Sequence, residues 1–96
     1  MEINLLDIIE YKNIIDIRDN YSYKLGKIMN AKLIDERLLV YKPELFLKKD
    51  EEYYIYCEKG INSKRVSKML VDKGYKVYSI IGGYEAYLKA KNSKII

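Results

Sequence analysis

One residue stands out for covalent chemistry. Cys57 is the only cysteine, and it closes the run Tyr53-Tyr54-Ile55-Tyr56 before the segment Glu58-Lys59-Gly60-Ile61-Asn62-Ser63. The chain has no histidine, which excludes histidine acid–base catalysis, Ser–His and Cys–His dyads and histidine metal sites. A single cysteine also excludes an internal disulfide and a cysteine-cluster zinc site. Any covalent chemistry therefore rests on Cys57 nearly alone, and its thiol must be activated by something other than a neighbouring base. A strand that ends in cysteine and passes through a glycine-containing loop into a helix offers such a means. Successive N–H groups of the loop can turn inward, the free amides of the first helical turn join them, and together they favour a thiolate at their centre. Gly60 permits a backbone conformation that a side chain would obstruct. Ser63 is expected to cap the helix that follows.

The elements that must position this loop are legible from residue patterns. Asn4 is suited to cap a short helix through about Glu10. Asn13 to Arg18 reads as a buried strand, Asp19 to Lys24 as one or two helical turns ended by Gly26, and Ala31 to Ile34 as a weaker strand. Leu38 to Leu47 is expected to form short helical turns interrupted by Pro43, the only proline. Tyr53 to Cys57 is the strongest strand, rich in aromatic and β-branched residues. Ser63 to Lys73 carries Val66, Met69, Leu70 and Val71 at helical spacing, and Gly74 closes it. Tyr75 to Ile81 is a further strand, which Gly82-Gly83 turns into a last helix from Tyr84 to Ala90. Tyr84 and Tyr87 are expected to pack against the sheet. Strands alternating with helices define an α/β fold with a parallel sheet covered on both faces. Ligands of such sheets bind beyond the carboxyl ends of the strands, where Cys57 stands.

Within this frame the chain resembles the single-domain rhodanese-like sulfurtransferases from about Ile14 to Leu88. Ile14-Ile15-Asp16-Ile17-Arg18 is similar to the family's strand ending in Asp-x-Arg. Tyr23-Lys24-Leu25-Gly26-Lys27-Ile28-Met29-Asn30-Ala31 is similar to its aromatic-x-x-Gly-His-Ile-Pro-Gly-Ala segment. Here Lys27, Met29 and Asn30 replace His, Pro and Gly, and Asn30 can still adopt a left-handed turn. Cys57 to Asn62 looks like the six-residue active-site loop, with Ser63 opening the next helix. Gly74-Tyr75 and Gly82-Gly83-Tyr84-Glu85-Ala86-Tyr87 are similar to the Gly-Tyr and Gly-Gly-aromatic-x-Ala-Trp segments, with Tyr87 in place of Trp.

The resemblance implies a five-stranded parallel sheet flanked by helices, a domain over residues 3–90 and a polar tail over residues 91–96. It implies transfer of a sulfane sulfur from thiosulfate, polysulfide or a persulfide donor to a thiophilic acceptor, through a persulfide on Cys57. The backbone amides of Glu58, Lys59, Gly60, Ile61, Asn62 and Ser63 would hold the anionic sulfur, and no metal or organic cofactor is required. The partners would be a small sulfur-containing anion or persulfide donor and a sulfur-acceptor protein. Many members carry Arg at the sixth loop position. Asn62 stands there instead, adding no charge, so binding of dianionic thiosulfate is expected to be weaker; Lys59 could restore a positive charge and Glu58 opposes it. Asp16 and Arg18 lie two apart on one strand face and are expected to meet near the loop as a supporting ion pair.

Composition narrows the other classes. The 96 residues suffice for one small domain. With 49% hydrophobic and 33% charged residues, the chain is too apolar for disorder and too charged for a bilayer protein. Its 18 basic residues are interspersed among 14 acidic ones with no basic stripe, which argues against nucleic acid. No apolar run approaches a membrane span and no signal peptide is visible, so a cytoplasmic protein is expected. Two alternatives remain open. A cysteine phosphatase or arsenate reductase would need one more loop residue and a clamping Arg, where Asn62-Ser63 stand and Arg65 already lies within the helix. A non-catalytic binding module could keep the same fold and dock a partner.

Overall fold

The computed structural model describes residues 1–96. Five strands form one sheet: β1 (Glu2–Ile3), β2 (Ile14–Asp16), β3 (Lys32–Leu33), β4 (Glu52–Tyr56) and β5 (Lys76–Ile80). Their spatial order is β1-β5-β4-β2-β3, and every pairing is parallel. Four helices connect and cover them: α1 (Asn20–Leu25), α2 (Glu36–Tyr41), α3 (Ile61–Asp72) and α4 (Gly83–Asn92). The five-stranded parallel architecture expected from the sequence is therefore present.

Strand alternation divides the core in two. Ile15, Ile17, Ile55, Cys57 and Val77 face one side, where Leu39 of α2 and Val66 and Leu70 of α3 meet them. Ile14, Tyr56 and Ile80 face the other, packed with Ile28, Tyr87 of α4 and Leu5. Tyr84 packs against this second cluster, as expected of both α4 tyrosines. Burial on both faces explains why the central strands read as continuous apolar runs.

Several boundaries differ from expectation. Asn4 does cap a helical turn, but it is a 3-10 turn of Leu5–Asp7 that ends well short of Glu10. The two-residue edge strand before it, paired to Ser79 and Ile80, is too short to leave a pattern. Asp35 caps α2, so that helix starts ahead of Leu38, and Pro43 opens a separate 3-10 turn. Within α3, Val66 and Leu70 are buried while Met69 points outward. Asn30 takes the left-handed conformation its turn requires, with φ 66°. α4 runs on through Lys91 and Asn92, two residues into the segment expected as a tail.

Candidate active site

Cys57 follows directly on β4, at the carboxyl edge of the sheet. It is 8% exposed, so its sulfur sits at the rim of the core rather than out in solvent. What surrounds that sulfur is polar on the loop side. The Gly60 N–H donates to Sγ at 3.2 Å and the Ser63 N–H at 3.3 Å, and the Ser63 hydroxyl lies 3.4 Å away. Burial alone would push the Cys57 thiol up. The Ser63 hydroxyl and the amides of Ser63, Gly60 and Lys59 outweigh it and hold the thiol below its ordinary value. Glu58, Ile61 and Asn62, expected in the same cradle, donate no amide to Sγ.

The loop keeps this shape because two elements grip it. Gly60 is the N-cap of α3, at φ 87°, and a Cβ there would stand 2.8 Å from the Gly82 nitrogen. The expectation that Ser63 caps the helix is thus corrected: Gly60 caps it, and Ser63 lies inside the first turns with its hydroxyl on the sulfur. Ile61 and Asn62 are helical rather than loop residues. On the far side, the Tyr84 N–H donates to the Cys57 carbonyl at 2.9 Å and the Glu85 N–H to the Glu58 carbonyl at 3.0 Å. The opening amides of α4 therefore hold the loop carbonyls outward, which leaves loop N–H groups facing the sulfur. This approach needs Gly83: a Cβ there, at φ 55°, would collide with the Cys57 carbonyl oxygen.

Asp16 and Arg18 meet as expected. Arg18 Nη2 and Nε bind the Asp16 carboxylate at 2.8–3.1 Å, with both side chains almost wholly buried. Arg18 also donates to the Gly26 carbonyl at 2.6 Å and to Glu58 at 3.2 Å, and its guanidinium lies 4.0 Å over the Tyr84 ring. Although burial works against it, pairing with Asp16 and then Glu58 keeps the guanidinium firmly charged. The Tyr56 hydroxyl donates to Asp16 at 2.6 Å, and burial followed by that bond pushes the phenol well above the usual tyrosine range. The pair thus ties β2, the turn after α1, the cysteine loop and α4 together.

Asn62 donates to Glu36 of α2 and accepts from Arg65 at 2.6 Å, while Arg65 also binds Glu36 at 2.8 Å. Arg65 is thereby held along α3 by a carboxylate, not poised as an oxyanion clamp. Lys59 is exposed and enters no ion pair. Two participants escaped the sequence. Glu36 and Ser79, whose hydroxyl lies 2.6 Å from that of Ser63, come from distant segments, and no local spacing signals either.

An α/β domain that places one cysteine in an amide-lined loop at the carboxyl edge of a parallel sheet has main-chain dipoles aimed at that sulfur, a geometry that favours negative charge there. The sequence profile described as "Rhodanese-like domain" matches residues 3–90, and the chain belongs to that family. A thiosulfate sulfurtransferase of Coxiella burnetii is 40% identical over 76 residues, covering 77% of this chain and 69% of the relative. A tRNA uridine(34) hydroxylase of Chlamydia abortus is 34% identical over 85 residues; the match covers 80% of this chain but only 26% of that longer protein. A rhodanese-related protein of Thermoplasma volcanium superposes with a TM-score of 0.79 at 25% identity, over 92% of this chain and 90% of that one. No helix is long and apolar enough to cross a membrane.

Proposed function

We propose that the protein is a sulfurtransferase that carries a sulfane sulfur as a persulfide on Cys57. The convergence of the Gly60 and Ser63 amides and the Ser63 hydroxyl on Sγ is the observation that carries this reading. The Cys57 thiolate attacks the donor's sulfane sulfur. A sulfur–sulfur bond forms, and the donor's own bond to that sulfur breaks with its electron pair. Sulfite leaves from thiosulfate, or a thiolate leaves from a persulfide. A thiophilic acceptor such as cyanide, a small thiol or a partner protein then attacks the outer sulfur and expels the thiolate again. The resemblance to a protein named a thiosulfate sulfurtransferase supports the same chemistry.

The charges around the loop bear on the donor. Arg18 is committed to Asp16 and Glu58, and Arg65 to Glu36, which leaves Lys59 as the free cation. That balance favours donors carrying less charge than dianionic thiosulfate, such as thiol persulfides, whose sulfane group bears a single charge.

Intact mass measurement after incubation with polysulfide tests the proposal. The wild type gains one sulfur atom and Cys57→Ser gains none, while Asn62→Arg combined with Glu36→Gln shifts donor preference toward thiosulfate by about tenfold. A wild-type mass unchanged by every sulfane donor overturns the sulfurtransferase reading.

A further inference from the structure

Behind the sulfur the structure holds a short, buried row of hydroxyls. Cys57 Sγ lies 3.4 Å from Ser63 Oγ, which lies 2.6 Å from Ser79 Oγ. Both serines are completely buried, and Ser79 projects from β5 toward α3 on the same sheet face as Cys57. The Ser79 hydroxyl has no hydrogen-bond partner other than Ser63.

Counting protons along this row gives it a direction. There are two links, and each needs one proton. When the sulfur is a thiolate, the two hydroxyl protons fill both links: Ser79 donates to Ser63, and Ser63 donates to the sulfur. A thiol brings a third proton. Either the Ser79 hydroxyl is then turned round and left without an acceptor, or the S–H must point out of the row. A buried donor without an acceptor is costly, whereas a hydroxyl donating to an anion makes a strong bond.

We propose that Ser79 is a positioning residue for Cys57, acting through Ser63 to aim a hydroxyl proton at the sulfur so that the row accepts its anionic form and disfavours the thiol. The proton lost on ionisation is the thiol's own and goes to solvent; both hydroxyl protons stay on their oxygens. The inference rests on the sulfur-transfer reading for its purpose. The sulfur must be anionic to attack the donor and is expelled as an anion when the acceptor takes its cargo, so the same row serves both half-reactions.

The other charged groups around the row are accounted for. Asp16, Arg18 and Glu58 pair on one side, and Glu36 with Arg65 on the other. Lys59 is on the loop and exposed. From β1, Glu2 pairs with Lys64, and the Met1 amino group donates to Ser67. None of these contacts involves the Ser79 hydroxyl.

The test is the rate of Cys57 alkylation by iodoacetamide as a function of pH, followed by intact mass, in the wild type, S79A, S63A, the double variant and S79T. Below the wild-type midpoint S79A should react about three- to tenfold more slowly, and the two profiles should converge at high pH. S79T, which keeps the hydroxyl, should restore the wild-type profile. In the S63A background, S79A should add nothing, because its path to the sulfur is already cut. An S79A profile that matches wild type, one that is slowed equally at all pH values, or an equal effect of S79A with and without Ser63 would each overturn the proposal. Alkylation needs no sulfur donor. Failed sulfur loading with an intact Ser79-dependent profile therefore removes the sulfur-transfer reading alone, and loading without that dependence removes this one alone.

Discussion

Arg18 shows how much of the site depends on a residue that never touches the sulfur. Its guanidinium joins Asp16, the Gly26 carbonyl, Glu58 and the face of Tyr84, and so fixes one wall of the loop. Replacing it by Met keeps the length and part of the packing but leaves the wholly buried Asp16 carboxylate without its cation. Arg18→Met should therefore lower stability to urea by about 3–5 kcal/mol, the usual result of breaking a buried pair from one side. A loss below about 1 kcal/mol would mean that Asp16 is satisfied by Tyr56 and the Arg18 amide alone. The Asp16–Arg18 pairing was readable from the sequence, since residues two apart in an extended segment share a face. β2 itself ends at Asp16, short of the expected Arg18, but the Ile17 N–H still donates to the Tyr56 carbonyl just past its end. The partners of Ser63 were not. Its hydroxyl works across a helix–strand interface, where Ser79 waits on a strand 16 residues further on, and a serine just after a loop looks the same whether it caps the helix or turns inward.

At the scale of elements, the site is a junction of two helix beginnings. α3 brings the Gly60 and Ser63 amides to the sulfur, and α4 brings the Tyr84 and Glu85 amides to the loop's carbonyls, so the loop is gripped from both sides. Gly83→Ala forces a Cβ against the Cys57 carbonyl oxygen at a positive φ. It should cost about 1–3 kcal/mol in urea unfolding and also slow Cys57 alkylation, because loosening α4 frees the carbonyls it holds. An unchanged alkylation rate would show that α4 does not shape the cradle. The strands and long helices were legible because burial on two faces and one face leaves different periodicities, as in Tyr53 to Tyr56 against Val66 and Leu70. The edge strand Glu2–Ile3 was not, because two residues carry no period and their pairing to Ser79 and Ile80 is set by the rest of the sheet. The start of α3 was misplaced because Gly60, not a side chain, caps it.

Over the whole molecule, the formal charge of +4 has little direct hold on the sulfur. The arginines beside the loop are balanced by Asp16, Glu58 and Glu36, and the cysteine is buried behind them. Stabilisation of its anion must then come from fixed dipoles and hydroxyls that the fold carries to the carboxyl edge of the sheet, and these are screened by salt far less than surface charges are. The consequence for stability has a definite sign. A thiol that titrates lower folded than unfolded adds stability that is fully present above the unfolded value, about 8.5, and is lost as pH falls through the folded midpoint. The most direct measurement is an ultraviolet titration of thiolate absorbance, taken as the difference between wild type and Cys57→Ser, at low and at high salt. A midpoint clearly below the ordinary thiol value that moves little with salt is the predicted result. A midpoint at or above that value would contradict the account, leaving Cys57 an inert side chain at the end of a strand.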